Sequence, residues 1–141
     1  MVAIDIVYKG KLRCQATHEP SSSVLITDAP KDNMGEGASF SPTDLMATAL
    51  GSCMLTIMGI QAQRLELDLT GTTVHVVKEM ATTGPRRIGR LTVEFTVPVP
   101  TTEEQRQRLH NAALTCPVHK SLHPDVEVVV HFNWSELVSL A

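Results

Sequence analysis

Two cysteines in unlike settings are the residues of this chain best suited to do chemistry. Cys116 directly precedes Pro117. A residue before proline is kept out of the helical conformation, and proline favours the first position of a helix. We therefore expect Cys116 to be the N-cap of a short helix, where free N–H groups lower the pKa of a thiol. If the fold brings Cys53 within disulfide reach, the two thiols form a redox pair.

Cys53 lies in an apolar run, about three turns into a helix predicted over residues 41–65. No helix end assists a thiol there, and apolar surroundings raise its pKa, so a reactive Cys53 needs a nearby cation. Without one, Cys53 is a structural thiol. Cys14 follows Arg13 in a predicted strand, where nothing local activates it, and we interpret it as structural. The candidate cations are Arg13, Arg86, Arg87 and Lys120.

Asp44 has one structural role and one possible chemical role. Ser41 is a favoured N-cap, Pro42 suits the first helical position, and Asp44 stands where a capping box places its acid. The carboxylate also complements the helix dipole. The same carboxylate could hold an arginine close to Cys53, because capping does not exclude that contact.

Cys116, His119 and His123 are three possible metal ligands at positions i, i+3 and i+7. Pro124 interrupts the short helix that would carry them, so a shared face is not assured. Their spacing matches no closed zinc pattern. A metal-binding protein is therefore the weakest of the alternatives that these residues leave open.

The elements that must position these residues follow the order strands, long helix, strands, helix, strand. This order lacks a regular alternation of strands and helices, and it predicts an α+β fold with a largely antiparallel sheet and a single domain over residues 1–141. The first hairpin is predicted to turn at Lys9 and Gly10. The predicted strands lie around residues 4–8, 12–17, 24–27, 74–77, 88–97 and 126–132, and two later helices over 101–115 and 117–122.

Composition narrows the class of partner. The formal net charge is −3, and one Trp, one Tyr and three Phe give no stacking platform, so a nucleic-acid partner is not expected. Three widely spaced cysteines are typical of a cytoplasmic protein with reduced thiols.

Residues 45–63 carry no charge but contain polar side chains and two glycines, which favours a buried helix over a membrane span. Because this helix is apolar nearly all round, we expect burial on more than one side, and a homodimer interface would supply the cover.

Residues 41–45 (SPTDL), 49–53 (ALGSC) and 116–122 (CPVHKSL) resemble the motifs of the OsmC/Ohr family of thiol peroxidases. The order of elements fits as well. The resemblance implies an intertwined homodimer with a long buried central helix from each subunit. It implies that Cys53 is the peroxidatic cysteine and Cys116 the resolving one. It also implies organic hydroperoxides as substrates, an external dithiol as reductant, and no metal, flavin or haem.

The family's enzymes also use an arginine and a carboxylate, and here this chain departs from their pattern. The family's carboxylate is a Glu just after the proline that begins the helix, where this chain has Thr43 followed by Asp44. The family's arginine lies near the end of the first hairpin, where Arg13 is the match. The predicted catalytic set is therefore Cys53, Cys116, Arg13 and Asp44. The alternative is a non-catalytic redox-sensing or binding module with the same fold and thiols.

Overall fold

The computed structural model describes residues 1–139. It divides into two compact units, one formed by residues 1–46 and the other beginning at Ala47. Strands and helices occur in the order that the sequence predicts, and the α+β class is confirmed. The prediction of one domain over residues 1–141 stays a prediction.

The N-terminal unit is built on a three-stranded antiparallel sheet in the order β1 (Ile4–Gly10), β2 (Arg13–His18) and β3 (Val24–Asp28). The first turn was predicted too early. Lys11 and Leu12 form it, and both have a positive φ, as a two-residue hairpin turn requires. Gly10 therefore belongs to β1, where it lies opposite Arg13.

The same register places Arg13 directly opposite Asp28, the last residue of β3. Directly opposed residues of an antiparallel pair carry their side chains on the same face of the sheet. The segment after β3 contains a single turn of 3-10 helix, Lys31–Asn33, and leads to the long helix α1 (Pro42–Arg64). The hairpin and this segment thus bring polar side chains to one end of the small sheet.

The C-terminal unit contains most of α1 and a second sheet in the order β4 (Thr73–Met80), β5 (Ile88–Val97) and β6 (Glu127–Trp134). β4 and β5 are antiparallel, whereas β5 and β6 are parallel. A parallel pair needs a long crossover, and here α2 (Glu103–Ala113) and α3 (Pro117–Ser121) lie within it. Cys116 therefore lies in the crossover, immediately before α3.

The core of this unit combines one face of α1 with the inner face of β5. The buried α1 residues recur at helical spacing, and the apolar residues of β5 alternate with exposed ones. The other side of α1 is exposed in the single chain, so the expectation that a homodimer buries α1 on more than one side stays a prediction. The buried α1 residues are Ala47, Leu50, Gly51, Met54, Met58 and Ala62.

By length and composition alone, α1 could cross a membrane, since its apolar window has a mean hydropathy of 1.5. The buried core helix of a soluble protein passes the same test. The contacts of α1 with the core of the C-terminal unit account for the apolar residues on its buried face.

Candidate active site

Cys53 and Cys116 come together in the C-terminal unit. Cys53 lies on α1 and is half-buried, whereas Cys116 is fully buried at the start of α3. The Cys53 side chain packs against the buried core that contains Cys116, and it raises the pKa of that thiol, although the two residues are 63 positions apart in the sequence (116 − 53). Both thiols are free. This arrangement places two thiols side by side, one with partial access to solvent and one without.

Cys116 is the N-cap of α3, as predicted. Its Sγ accepts a hydrogen bond from the backbone N–H of His119 at 3.5 Å, and Pro117 occupies the first turn. The expected lowering of its pKa is wrong. Burial, and then the hydrogen bond with Cys53, raise the pKa of Cys116 and outweigh the backbone N–H groups that would lower it. Cys116 is thus held as the neutral thiol at neutral pH.

Arg13 lies in the N-terminal unit between two carboxylates. Its guanidinium pairs with the exposed Glu36 at 2.5 Å, and its Nε lies 3.6 Å from Asp28. Asp28 is only 1% exposed and also accepts the backbone N–H of Ala38 at 2.9 Å. The side chain of Arg13 is 33% exposed, so its charge is partly shielded from water. The guanidinium is held in position by groups of its own unit.

Asp44 caps α1, as predicted. Its carboxylate accepts the backbone N–H of Ser41 at 2.9 Å, and its own N–H donates to the Ser41 hydroxyl at 3.1 Å. These two reciprocal bonds form a capping box. The further role of Asp44, as the carboxylate that holds an arginine for Cys53, stays a prediction.

The match of this chain to a family comes from comparison with known proteins. Residues 35–131 match the family described as OsmC-like protein. The chain belongs to the OsmC family. A solved structure from Psychrobacter arcticus, named as a candidate osmotic stress induced and detoxification response protein, is 46% identical to this OsmC protein. The alignment covers 94% of this chain and 96% of that chain, with a TM-score of 0.90.

Two more distant solved structures share the OsmC fold. An organic hydroperoxide resistance protein from Legionella pneumophila is 14% identical, with a TM-score of 0.75 and coverage of 94% of this chain and 96% of that one. Another, from Elizabethkingia anophelis, is 15% identical, with a TM-score of 0.75 and coverage of 96% of each chain. No curated protein matches the chain.

The remaining candidates from the sequence occupy less promising positions in this OsmC protein. Cys14 lies half-buried in β2, opposite Tyr8 and Thr27. Within residues 1–139, no three His, Cys, Asp or Glu side chains are grouped as metal ligands, and this includes the set Cys116, His119 and His123.

Sequence reasoning missed Asp28 and Glu36 as partners of Arg13. It assigned Asp28 to the loop after β3, whereas Asp28 ends that strand directly opposite Arg13. A correct register for β2 and β3 would have revealed the first pair. Glu36 carries no comparable signal, since its place depends on the path of an irregular segment.

Proposed function

We propose that this OsmC protein reduces organic hydroperoxides through a cycle of sulfenic acid and disulfide at Cys53 and Cys116. The observation that supports this most strongly is the proximity of the two thiols, since Cys53 packs against the core that contains Cys116 and raises its pKa. Adjacent thiols can interconvert with a disulfide, whereas a lone buried thiol is ordinarily inert. The names of the distant structures from Legionella and Elizabethkingia point to the same substrate class.

The chemistry begins at Cys53. The thiolate of Cys53 attacks the terminal oxygen of the hydroperoxide, so an S–O bond forms and the O–O bond breaks. The substrate leaves as the alcohol after taking up a proton, and Cys53 becomes a sulfenic acid. The thiol of Cys116 then attacks the sulfur of Cys53 and gives its proton to the departing hydroxyl, so an S–S bond forms, the S–O bond breaks and water leaves. An external dithiol reduces that disulfide by exchange and is itself oxidised.

Burial supports this assignment of roles. Cys53 is half-buried and therefore open to a substrate from solvent, whereas Cys116 is fully buried. The raised pKa keeps the Cys116 thiol protonated at neutral pH. Cys116 therefore stays unreactive until Cys53 has been oxidised. Direct attack on peroxide by Cys116 would need both access and a thiolate, and it has neither.

Arg13 and Asp44 complete the proposed site. A mid-helix thiol needs a cation to be reactive, and Arg13 is the arginine that the family resemblance selects. In this chain Asp28 and Glu36 hold its guanidinium, while Asp44 caps the helix that carries Cys53. The proposal needs no metal, flavin or haem. It includes a homodimer and a cytoplasmic setting, where an external dithiol stays reduced.

Single cysteine substitutions test the cycle. Cys53→Ser is expected to abolish the reaction with cumene hydroperoxide, because the attacking sulfur is gone. Cys116→Ser is expected to react once and to leave a sulfenic acid that dimedone traps. Cys14→Ser is the matched control and should keep the turnover of the parent. The measurements are dithiol consumption driven by peroxide and the mass of each trapped protein.

Two outcomes would contradict the proposal. Equal loss of turnover in Cys14→Ser would mean that the wrong pair has been chosen. If the parent reacts with no organic hydroperoxide while its two thiols still form a disulfide with a chemical oxidant, the chain is a non-catalytic redox-sensing module.

A further inference from the structure

The buried carboxylate of Asp28 lies beside Arg13 in the N-terminal unit. Asp28 ends β3 and is 1% exposed. Its Oδ2 lies 3.6 Å from Nε of Arg13, which is an ion-pair distance and too long for a hydrogen bond. A buried charge is costly unless an opposite charge lies close to it. Arg13 is therefore the cation that balances the charge of Asp28.

Asp28 also fixes the segment that follows it in the chain. Its backbone N–H donates to the carbonyl oxygen of Phe40 at 3.0 Å, and its Oδ2 accepts the N–H of Ala38 at 2.9 Å. Residues 29–40 are thereby closed into a loop whose two ends meet at Asp28.

Glu36 reaches Arg13 from this loop. Its carboxylate pairs with the guanidinium at 2.5 Å, and its side chain is 75% exposed. An exposed pair of this kind contributes little, because water and salt screen it. The position of Glu36 depends in turn on the hydrogen bond between Asp28 and Ala38. Asp28 thus acts on the guanidinium twice, directly and through the loop that carries Glu36.

The orientation of Arg13 matters because an arginine side chain has many rotamers. Arg13 begins β2, next to the hairpin turn, and its side chain is 33% exposed. A guanidinium on a mobile side chain spends only part of its time at any one place, and its effect on a thiolate falls with distance. A guanidinium held in one orientation acts without that loss.

We infer that Asp28 is a positioning residue that holds Arg13 in the orientation in which its guanidinium assists the thiolate of Cys53. The inference rests on the proposed function, which assigns Arg13 to Cys53. The sequence predicted this role for Asp44, which caps α1. Asp28 acts through Arg13 and takes no part in the bond changes at sulfur.

The test begins with Asp28→Asn. Asparagine keeps an oxygen that accepts the N–H of Ala38 but removes the charge that faces Arg13. The second-order rate constant for oxidation of Cys53 by cumene hydroperoxide should fall roughly tenfold or more, as expected for a misplaced assisting group. The pH profile of Cys53 alkylation by iodoacetamide should shift to higher pH, because a misplaced cation stabilises the thiolate less. A shift to lower pH would show that Asp28 acts only through its own charge and would overturn the inference.

A double-mutant cycle shows whether Asp28 acts through Arg13. Arg13→Gln alone should lower the rate constant at least as much as Asp28→Asn. Adding Asp28→Asn to Arg13→Gln should cause no further loss, because no guanidinium is left to position. A loss by the same factor in both backgrounds would identify a merely structural role and overturn the inference.

Two exposed carboxylates serve as comparisons. Glu36→Gln removes the exposed partner of Arg13 and should lower the rate constant less than Asp28→Asn does. Glu19→Gln is the matched control, because it removes one exposed negative charge just beyond the other end of β2, and it should react like the parent. Equal losses in Glu36→Gln and Asp28→Asn would overturn the choice of Asp28.

Alkylation needs no peroxide, so it separates this inference from the proposed function. If the parent reduces no hydroperoxide, the alkylation profile of Cys53 still shows whether Asp28 and Arg13 act together on this thiol. An unchanged profile in Asp28→Asn or in Arg13→Gln overturns the inference. Circular dichroism and thermal unfolding check the fold of each variant. If Asp28→Asn does not fold, Asp28→Glu replaces it, since a carboxylate moved by one methylene group also displaces the guanidinium.

Discussion

At the scale of single residues, the two thiols of the pair differ because their surroundings differ. Cys116 is sealed from solvent, and burial is the main reason that its pKa rises. The N–H of His119 acts in the opposite direction but is too weak to reverse the shift. A helix N-terminus therefore does not by itself make a cysteine reactive. Desolvation of the thiolate can raise the pKa by more than the hydrogen bond at the cap lowers it.

The raised pKa of Cys116 predicts how stability depends on pH. Below the pKa of the unfolded thiol, about 8.5, both states hold the proton and the stability is complete. Above it the unfolded chain releases the proton while the folded chain retains it, so the free energy of unfolding falls as pH rises. Urea unfolding of the reduced protein from pH 7 to pH 10 should show this fall. Cys116→Ala should show a smaller fall over the same range, and an identical fall would contradict the shift.

Asp28 is predicted to matter more for stability than Glu36. Asp28→Ala would leave the backbone N–H of Ala38 without its acceptor and Arg13 without its buried ion-pair partner, at a cost of about 1–3 kcal/mol. Glu36→Ala removes an exposed partner of the same arginine and should change stability little. Urea unfolding of both variants checks this order. Equal destabilisation would contradict this order, because the exposed pair of Arg13 with Glu36 would then contribute as much to the free energy of unfolding as the buried pair with Asp28.

At the scale of elements, α1 depends on one close approach to the sheet. A Cβ added at Gly51 would lie 2.8 Å from Cγ2 of Val76 on β4, whereas one added at Gly59 meets nothing within 4 Å. Gly51→Ala should therefore destabilise the protein by about 1–3 kcal/mol through overpacking. Gly59→Ala should stabilise it by about 0.5–1 kcal/mol through helix propensity. Thermal unfolding of this matched pair tests the contact, and the same sign for both changes would refute it.

The elements that the sequence predicts well are those that begin with local signals. Ser41 with Asp44 marks the start of α1, and Pro117 marks the start of α3. The helix predicted over residues 101–115 begins at Glu103, and Thr102 and Gln105 form its capping box. Local bonds decide these ends, so a short stretch of sequence contains the information.

Features that depend on long-range pairing could not be predicted in the same way. The contact of Arg13 with Asp28 follows from the register of β2 with β3, and a shift of one residue would place the two side chains on opposite faces. The meeting of Cys53 with Cys116 depends on the packing of the crossover after β5 against α1. Sequence alone supported that meeting only through the family resemblance.

At the scale of the whole molecule, large apolar surfaces remain uncovered in the single chain. β1 and β3 expose Ile4, Ile6, Tyr8, Val24 and Ile26, and α1 exposes Met46 and Ile60. Monomeric proteins rarely leave so much apolar side chain in contact with water. In the proposed homodimer, a second copy of the chain covers these apolar side chains.

We predict a homodimer that buries well over roughly 2,000 Å² in total, the size of an obligate interface. Sedimentation equilibrium at micromolar concentration should give the mass of two chains, and Tm should rise with protein concentration. Ile6→Glu, at a side chain that is 65% exposed in the single chain, should weaken the dimer because it would bury a charge. Val77→Glu is the matched control, on the exposed face of β4 and 43% exposed, and should leave the dimer intact. A monomer at micromolar concentration would contradict the prediction, because the apolar faces of β1 and β3 would then remain exposed to water.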